Sequence, residues 1–229
     1  MTKNIINIGL PSKGRLKHET INIFKKNKLS IFSERGERDL FGYIKKLSNI
    51  KIIYLHAREI IEQISLGNID IGFSGYDLFK ENEVNVQNKI LINKKYNYGN
   101  ANLVLAIPDL WIDVQTLLDL DEVADEFRKK NKRLIRIGTK YPNLTRQYLY
   151  SRGVTNFSIV KSRGATELMP AISTAELISD ISSSGQTLTA NKLRVLNDGI
   201  ILRSEACIFI SKKNQKKKGL RRILRSLSK

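Results

Sequence analysis

The sequence predicts an α/β protein built as two lobes, and three features carry that expectation. Short apolar runs of strand character alternate with amphipathic stretches of helical spacing. The alternation restarts after "NANLVLAIPD", residues 100–109. A late apolar run, "EACIFISKK", reads as a strand returning to the opening part of the chain. Parallel-rich sheets covered by helices, one per lobe, satisfy all three.

The elements justify this in order. "NIINIGLP" is a buried strand, and "KGRLKHETINIFKKN" a helix with apolar Leu16, Ile21 and Phe24. "KIIYLHA" is the next strand, with His56 packed in it; "REIIEQISLGN" is a helix closed by Gly67, and "IDIGFSG" a third strand. Asp70 in that strand either caps a turn or binds a ligand. The second series runs helix "VQTLLDLDEVADEFRKKN", strand "LIRIGT", helix "NLTRQYLYSRG", strand "FSIVKS", helix "ATELMPAIST" and strand "AELISDI". The second lobe then reads as an insertion in the first. Residues 1–96 and 205–229 form one lobe and residues 97–204 the other, with two chain crossings and a cleft between the lobes.

Composition narrows the function. At 229 residues and 41% hydrophobic, the chain can bury one large core or two small ones. No apolar run approaches the roughly eighteen residues of a membrane span. The opening apolar stretch is too short for a secretion signal, so a cytoplasmic protein is expected. The single cysteine, Cys207, allows no internal disulfide and reads as inert core, and His18 and His56 are too few for a zinc cluster. A formal charge of +18 calls for anionic partners. The lysines are scattered, however, and neither aromatic-interleaved basic motifs nor zinc-finger spacing occur, which argues against nucleic acid and for small anionic substrates. The tail "KKNQKKKGLRRILRSLSK" reads as an amphipathic helix with Leu220, Ile223, Leu224 and Leu227 packed on the body.

Two stretches suit phosphate. In "GLPSKGRL" a strand ends and a helix begins among Ser12, Lys13 and Arg15, with Gly14 allowing close approach to unpaired backbone amides. Taken alone it is also an ordinary strand-to-helix turn with solvated bases. In "AELISDISSSGQTL" a strand carrying Glu176 and Asp180 on one face runs into hydroxyls, a glycine and a helix start. Asp180 could accept sugar hydroxyls while Ser183, Ser184, Gly185, Gln186 and Thr187 donate to phosphate, as a ribose phosphate would require. The competing reading is a helix N-cap formed by Ser183 or Ser184.

Five collinear stretches spanning nearly the whole chain carry a family resemblance. "AELISDISSSGQTLTANKL" resembles the phosphoribosyl-diphosphate loop of the ATP phosphoribosyltransferases, the enzymes of the first step of histidine biosynthesis. "LPSKGRL", "REIIEQISLGNIDIGFSGYDL", "TKYPNLTRQYL" and "RGATELMP" resemble other segments of that family in the expected order. The chain departs from the family pattern at Ser74 and Ser184, each in place of a threonine, at Glu176 in place of aspartate, and at Thr189 in place of a frequent arginine. Ala165 and Ser173 depart as well.

The resemblance implies two lobes of periplasmic-binding-protein-like type II architecture. It also implies transfer of a phosphoribosyl group to N1 of the adenine of ATP, releasing diphosphate. Asp180 and Glu167 are then implied to favour the cationic sugar, and Arg15 to stabilise the leaving group; these are the catalytic candidates. Lys13, Gly14, Arg58, Ser74, Gly75, Lys140 and Tyr141 are implied to bind substrate, as are Glu176, Ser183, Ser184, Gly185, Gln186 and Thr187. Mg2+ is implied to arrive with phosphoribosyl diphosphate, and no metal ligand is assigned. The length resembles the short form of the family, which implies a catalytic subunit working with a histidyl-tRNA-synthetase-like regulatory subunit in a hetero-oligomer. The alternative is a two-lobed small-ligand-binding or sensor domain without catalysis.

Overall fold

The computed structural model describes residues 5–33, 39–45 and 47–227; Asn4 of the first expected strand and the last two residues of the basic tail lie outside the described residues. The chain divides into two compact units, Met1–Gly99 with Glu205–Lys229, and Asn100–Ser204.

In the first unit the chain forms β1 (Ile6–Pro11), α1 (Gly14–Lys26), β2 (Ile31–Phe32), β3 (Phe41–Ile44), β4 (Ile50–Leu55), α2 (Ala57–Leu66), β5 (Ile71–Gly75), two short helices α3 (Tyr76–Lys80) and α4 (Val84–Gln87), and β6 (Ile90–Lys95). The second unit holds β7 (Ala101–Pro108), α5 (Leu117–Asn131), β8 (Ile135–Thr139), α6 (Pro142–Ser151), β9 (Phe157–Lys161), β10 (Leu177–Ser182), α7 (Gln186–Ala190) and β11 (Leu193–Ser204). The chain then returns as β12 (Ala206–Ser211) and ends in α8 (Leu220–Leu227). The two passages lie side by side: Ser204 pairs with Ala101, and Tyr96 and Tyr98 exchange backbone hydrogen bonds with Ala206.

Both sheets are mixed. The first has the order β2-β3-β4-β1-β5-β12-β6; β1 is parallel to β4 and β5, while β12 and β3 are antiparallel to their neighbours. The second has the order β11-β7-β10-β8-β9, parallel across β10, β8 and β9 and antiparallel where β7 joins. The successive strands β2, β3 and β4 are antiparallel because direct reversals produce antiparallel neighbours.

Side-chain alternation along β1 sets the layers of the first unit. Ile6, Ile8 and Leu10 are fully buried on one face with Phe24 of α1 and with Leu220, Ile223, Leu224 and Leu227 of α8, so the apolar face expected of the basic tail is part of the core. On the other face α2 packs through Ile60, Ile61 and Ile64 against Phe209. A side chain at position 72 would forbid that approach, since a Cβ on Gly72 would lie 2.4 Å from Ile60 Cγ2. His56 is not a packed strand residue: it is exposed and N-caps α2, its Nδ1 accepting the Arg58 N–H (3.3 Å) while Glu59 accepts its own N–H (3.2 Å). Asp70, only 1% exposed, accepts from the Asn7 backbone N–H (2.7 Å) and from Lys217 Nζ (2.8 Å), tying the tail to the sheet.

In the second unit α5 and α6 cover one face through Leu117, Leu120, Ala124 and Leu149. Met169 and Leu188 cover the other. The helix expected over "ATELMPAIST" shortens to one 3-10 turn at Thr166–Leu168, because Pro170 follows and Ser173 adopts a φ of 57°.

Candidate active site

The turn from β10 into α7 forms a small cradle. Gly185 takes the left-handed conformation (φ 77°), a Cβ there would meet no atom within 4 Å, and its N–H donates to Ser182 Oγ at 3.1 Å. This serine-to-glycine bond closes the turn and lifts Ser183 and Ser184 outward; both are exposed. Gly185 rather than a serine holds the N-cap position of α7, while Ser184 Oγ accepts the Gln186 N–H at 3.5 Å, so of the two serines read as a cap only Ser184 meets the helix start, from the position before the cap. Ser182, Ser183, Ser184, Gly185 and Thr187 line a depression of about 210 Å³, and Asp180 and Glu167 complete its wall. Serine and threonine residues line one part of it, two half-buried carboxylates another. Such a depression can hold a phosphate that carries a hydroxylated sugar.

The cradle sits at the carboxyl edge of parallel strands. Ser179, Thr139 and Lys161 share a register level across β10, β8 and β9, so the segments leaving these strands emerge on one side. Lys140 follows β8 there, half-buried. In the first unit the same logic gathers other candidates. Pro11 pairs with Leu55 and Gly9 with Gly72, so β1, β4 and β5 end at a common edge. Lys13, Gly14 (φ 77°) and Arg15 lie exposed where β1 gives way to α1, half-buried Arg58 lies at the second position of α2, and Gly75 ends β5. That edge is cationic.

A family model described as ATP phosphoribosyltransferase matches residues 56–229. An ATP phosphoribosyltransferase of Nitrobacter winogradskyi is 44% identical over 225 residues, which cover 98% of this chain and 69% of that protein. The chain belongs to the ATP phosphoribosyltransferase family. Within that family it covers 90% of a Mesorhizobium japonicum relative at 41% identity, but 63% of the length of a Bradyrhizobium relative at 44% identity. Among solved structures, an ATP phosphoribosyl transferase (HisG:HisZ) complex from Thermotoga maritima aligns with a TM-score of 0.73 at 23% identity, covering 98% of this chain and 97% of that one. An ancestral arginine-binding protein bound to arginine aligns at 0.57 with 10% identity, covering 100% and 92%. At such identities both speak for the fold alone, a two-lobed architecture common to this family and to type II binding proteins.

Four residues singled out from the ATP phosphoribosyltransferase motifs do not line the cradle. Ser74 is fully buried, its hydroxyl donating to the Ala57 carbonyl (2.7 Å), so it supports the edge from beneath. The Tyr141 ring is 5% exposed, and the residue N-caps α6 through its backbone. Gln186 is exposed and stands outside the cradle walls. Glu176 lies four residues before Asp180, about 13 Å at the usual strand rise. Its carboxylate is held by Arg133 (3.0 Å) and Arg136 (2.7 Å) and by the Arg136 N–H (2.7 Å). Ser182 is the cradle residue that motif reading passed over; a serine three positions before a glycine is the local sign that could have found it.

Glu176 gives stability a pH dependence. Burial by itself raises its pKa, and the hydrogen bonds from Arg136 and Arg133 more than offset this, bringing it to about 2 from an ordinary 4.5. With the folded pKa below the unfolded one, the stabilisation is complete above the unfolded pKa and is lost as pH falls towards the folded one. Because both arginines are partly solvated, about 2 kcal/mol is expected rather than the full linkage value. In urea titrations Glu176→Gln is therefore less stable than the parent by that amount at about pH 6, and the gap narrows towards about pH 3. A gap independent of pH contradicts the assignment.

Proposed function

We propose that this chain is the short-form catalytic subunit of ATP phosphoribosyltransferase, which joins ATP to phosphoribosyl diphosphate to give N1-phosphoribosyl-ATP and diphosphate. The observation that carries this is the cradle itself: in a chain of this family, the phosphoribosyl-diphosphate motif folds into a depression that combines hydroxyls, a left-handed glycine and two carboxylates. Ser183, Ser184, Gly185 and Thr187 receive the sugar phosphate through amides and hydroxyls. Asp180 holds ribose hydroxyls.

The reaction forms a bond from adenine N1 to ribose C1 as the bond from C1 to the diphosphate oxygen breaks, its electron pair leaving with diphosphate. The sugar is cationic in between, and the carboxylates of Asp180 and Glu167 stabilise it electrostatically. Adenine N1 is already nucleophilic, so no strong general base is required. Lys13, Arg15 and Arg58 answer the charge of the polyphosphates, with Lys140 and the Gly14 and Gly75 backbone as further contacts. Mg2+ enters as part of the phosphoribosyl diphosphate substrate. Among the described residues no cluster of three or more acidic, histidine or cysteine side chains forms a resident site, and the two cradle carboxylates suit an ion already held by diphosphate and water.

The partner follows from the same reading: a histidyl-tRNA-synthetase-like regulatory subunit in a hetero-oligomer, in a cytoplasmic setting. Among the described residues no helix is long and apolar enough to cross a membrane. The test is to follow product absorbance with ATP, phosphoribosyl diphosphate and Mg2+, with and without that subunit. Turnover that requires all three substrate components is expected; no turnover under either condition removes the reading.

A further inference from the structure

A larger depression, of about 490 Å³, opens in the first unit at the opposite end of its parallel strands. It is built around Ile50, the first residue of β4, whereas Lys13, Arg15 and Arg58 follow the far ends of β1 and β4. The 6 residues of β4 separate the two regions by about 20 Å at the usual strand rise. The depression therefore cannot be part of the edge described above.

Its floor is apolar. Ile44, Ile50 and Ile223 are at most 5% exposed, with Leu29 and Leu47 beside them. Its mouth carries three cations from three separate elements: Lys28 after α1, Lys45 after β3 and Arg222 on α8. Among the described residues no acidic side chain lines it, and none of the three cations pairs with a carboxylate. Lys45 Nζ lies instead over the Phe32 ring, 4.8 Å from its centre, and both residues line the depression.

Cations that line one depression repel one another, and an anion placed there relieves that repulsion. An apolar floor rewards an apolar body with about 25 cal/mol for each Å² covered. The volume falls within the roughly 300–1,000 Å³ of small-molecule sites. We infer that this depression is a second ligand site, for an amphipathic organic anion whose acidic head meets Lys28, Lys45 and Arg222 and whose apolar body rests on Ile44, Ile50 and Ile223. Sugar phosphates and free nucleotides lack that apolar body. The site is independent of the reaction proposed above and stands or falls separately from it.

Anilinonaphthalene sulfonate, an amphipathic anion that fluoresces when sheltered from water, is the probe. With the full chain it is expected to saturate at one dye per chain, to be displaced by octanoate and to resist octylammonium. The double variant K45E/R222E, with its circular dichroism checked against the parent, is expected to bind the dye at least about tenfold more weakly. Displacement by octylammonium as readily as by octanoate overturns the inference, as does dye binding indifferent to the charge reversals. A readout that needs no variant is the methyl spectrum of the parent protein: octanoate is expected to shift Ile44, Ile50 and Ile223 and to leave Leu188 of the cradle in place. Unmoved isoleucine methyls overturn the inference even if the double variant does not fold.

Discussion

Gly185→Asp is expected to abolish phosphoribosyl diphosphate binding while leaving the protein folded. The backbone tolerates the change, because aspartate visits the left-handed region more readily than most residues and the penalty is about 1 kcal/mol, small against the stability of a typical domain. Space is available too, since a Cβ at this position meets nothing within 4 Å. The new carboxylate would stand in the depression lined by Ser183, Ser184 and Thr187, where the sugar phosphate is proposed to bind. Like charge against a phosphate at that range costs several kcal/mol, and about 3 kcal/mol already corresponds to a loss of roughly a hundredfold in affinity. Isothermal titration with phosphoribosyl diphosphate and Mg2+, beside a thermal melt, checks both halves. Undiminished affinity in a folded variant would show that the cradle is not where the sugar phosphate binds.

The second large effect is on stability. Asp70→Ala removes a carboxylate that is 1% exposed and leaves the Asn7 N–H and Lys217 without their acceptor. Breaking a buried ion pair on one side costs about 3–5 kcal/mol. Lys217 keeps a route to water, its side chain being 25% exposed, so the low end, about 3 kcal/mol, is expected. The loss also frees the segment that leads into α8, whose four apolar side chains belong to the core. Urea unfolding at neutral pH measures it, and a change below about 1 kcal/mol would mean that the pair is offset by desolvation. The two readings offered for Asp70 from sequence, turn cap or ligand contact, are both replaced by this structural tie.

What could be read from sequence follows from which signals are local. The alternation of strand and helix was legible because β1, β4, β5 and the helices between them keep clean apolar periods. The β2–β3 hairpin was not, because β3 reverses the usual sign: Phe41 and Tyr43 are 48% and 42% exposed while Gly42 and Ile44 are buried. The long β11 was missed since register shifts between Val195 and Leu202, around Asn197, Asp198 and Gly199, interrupt its period. At the candidate site the hydroxyls and glycine of the cradle were legible as turn chemistry. The role of Glu176 was not, because its arginines stand 40 and 43 positions away and such pairing leaves no local trace. Ser74 was misplaced for the same reason, its carbonyl partner being 17 positions distant.

The pairing of Ala101 with Ser204 brings the entrance and exit of residues 100–204 together on one ladder, about 5 Å apart. A stretch whose ends touch is a natural cassette: it could be excised and the gap closed with a very short splice, or grafted into another host strand pair, without stretching either piece. Duplication, exchange and trimming at that seam would leave little scar, which gives this architecture a simple route to new binding specificities on an unchanged base.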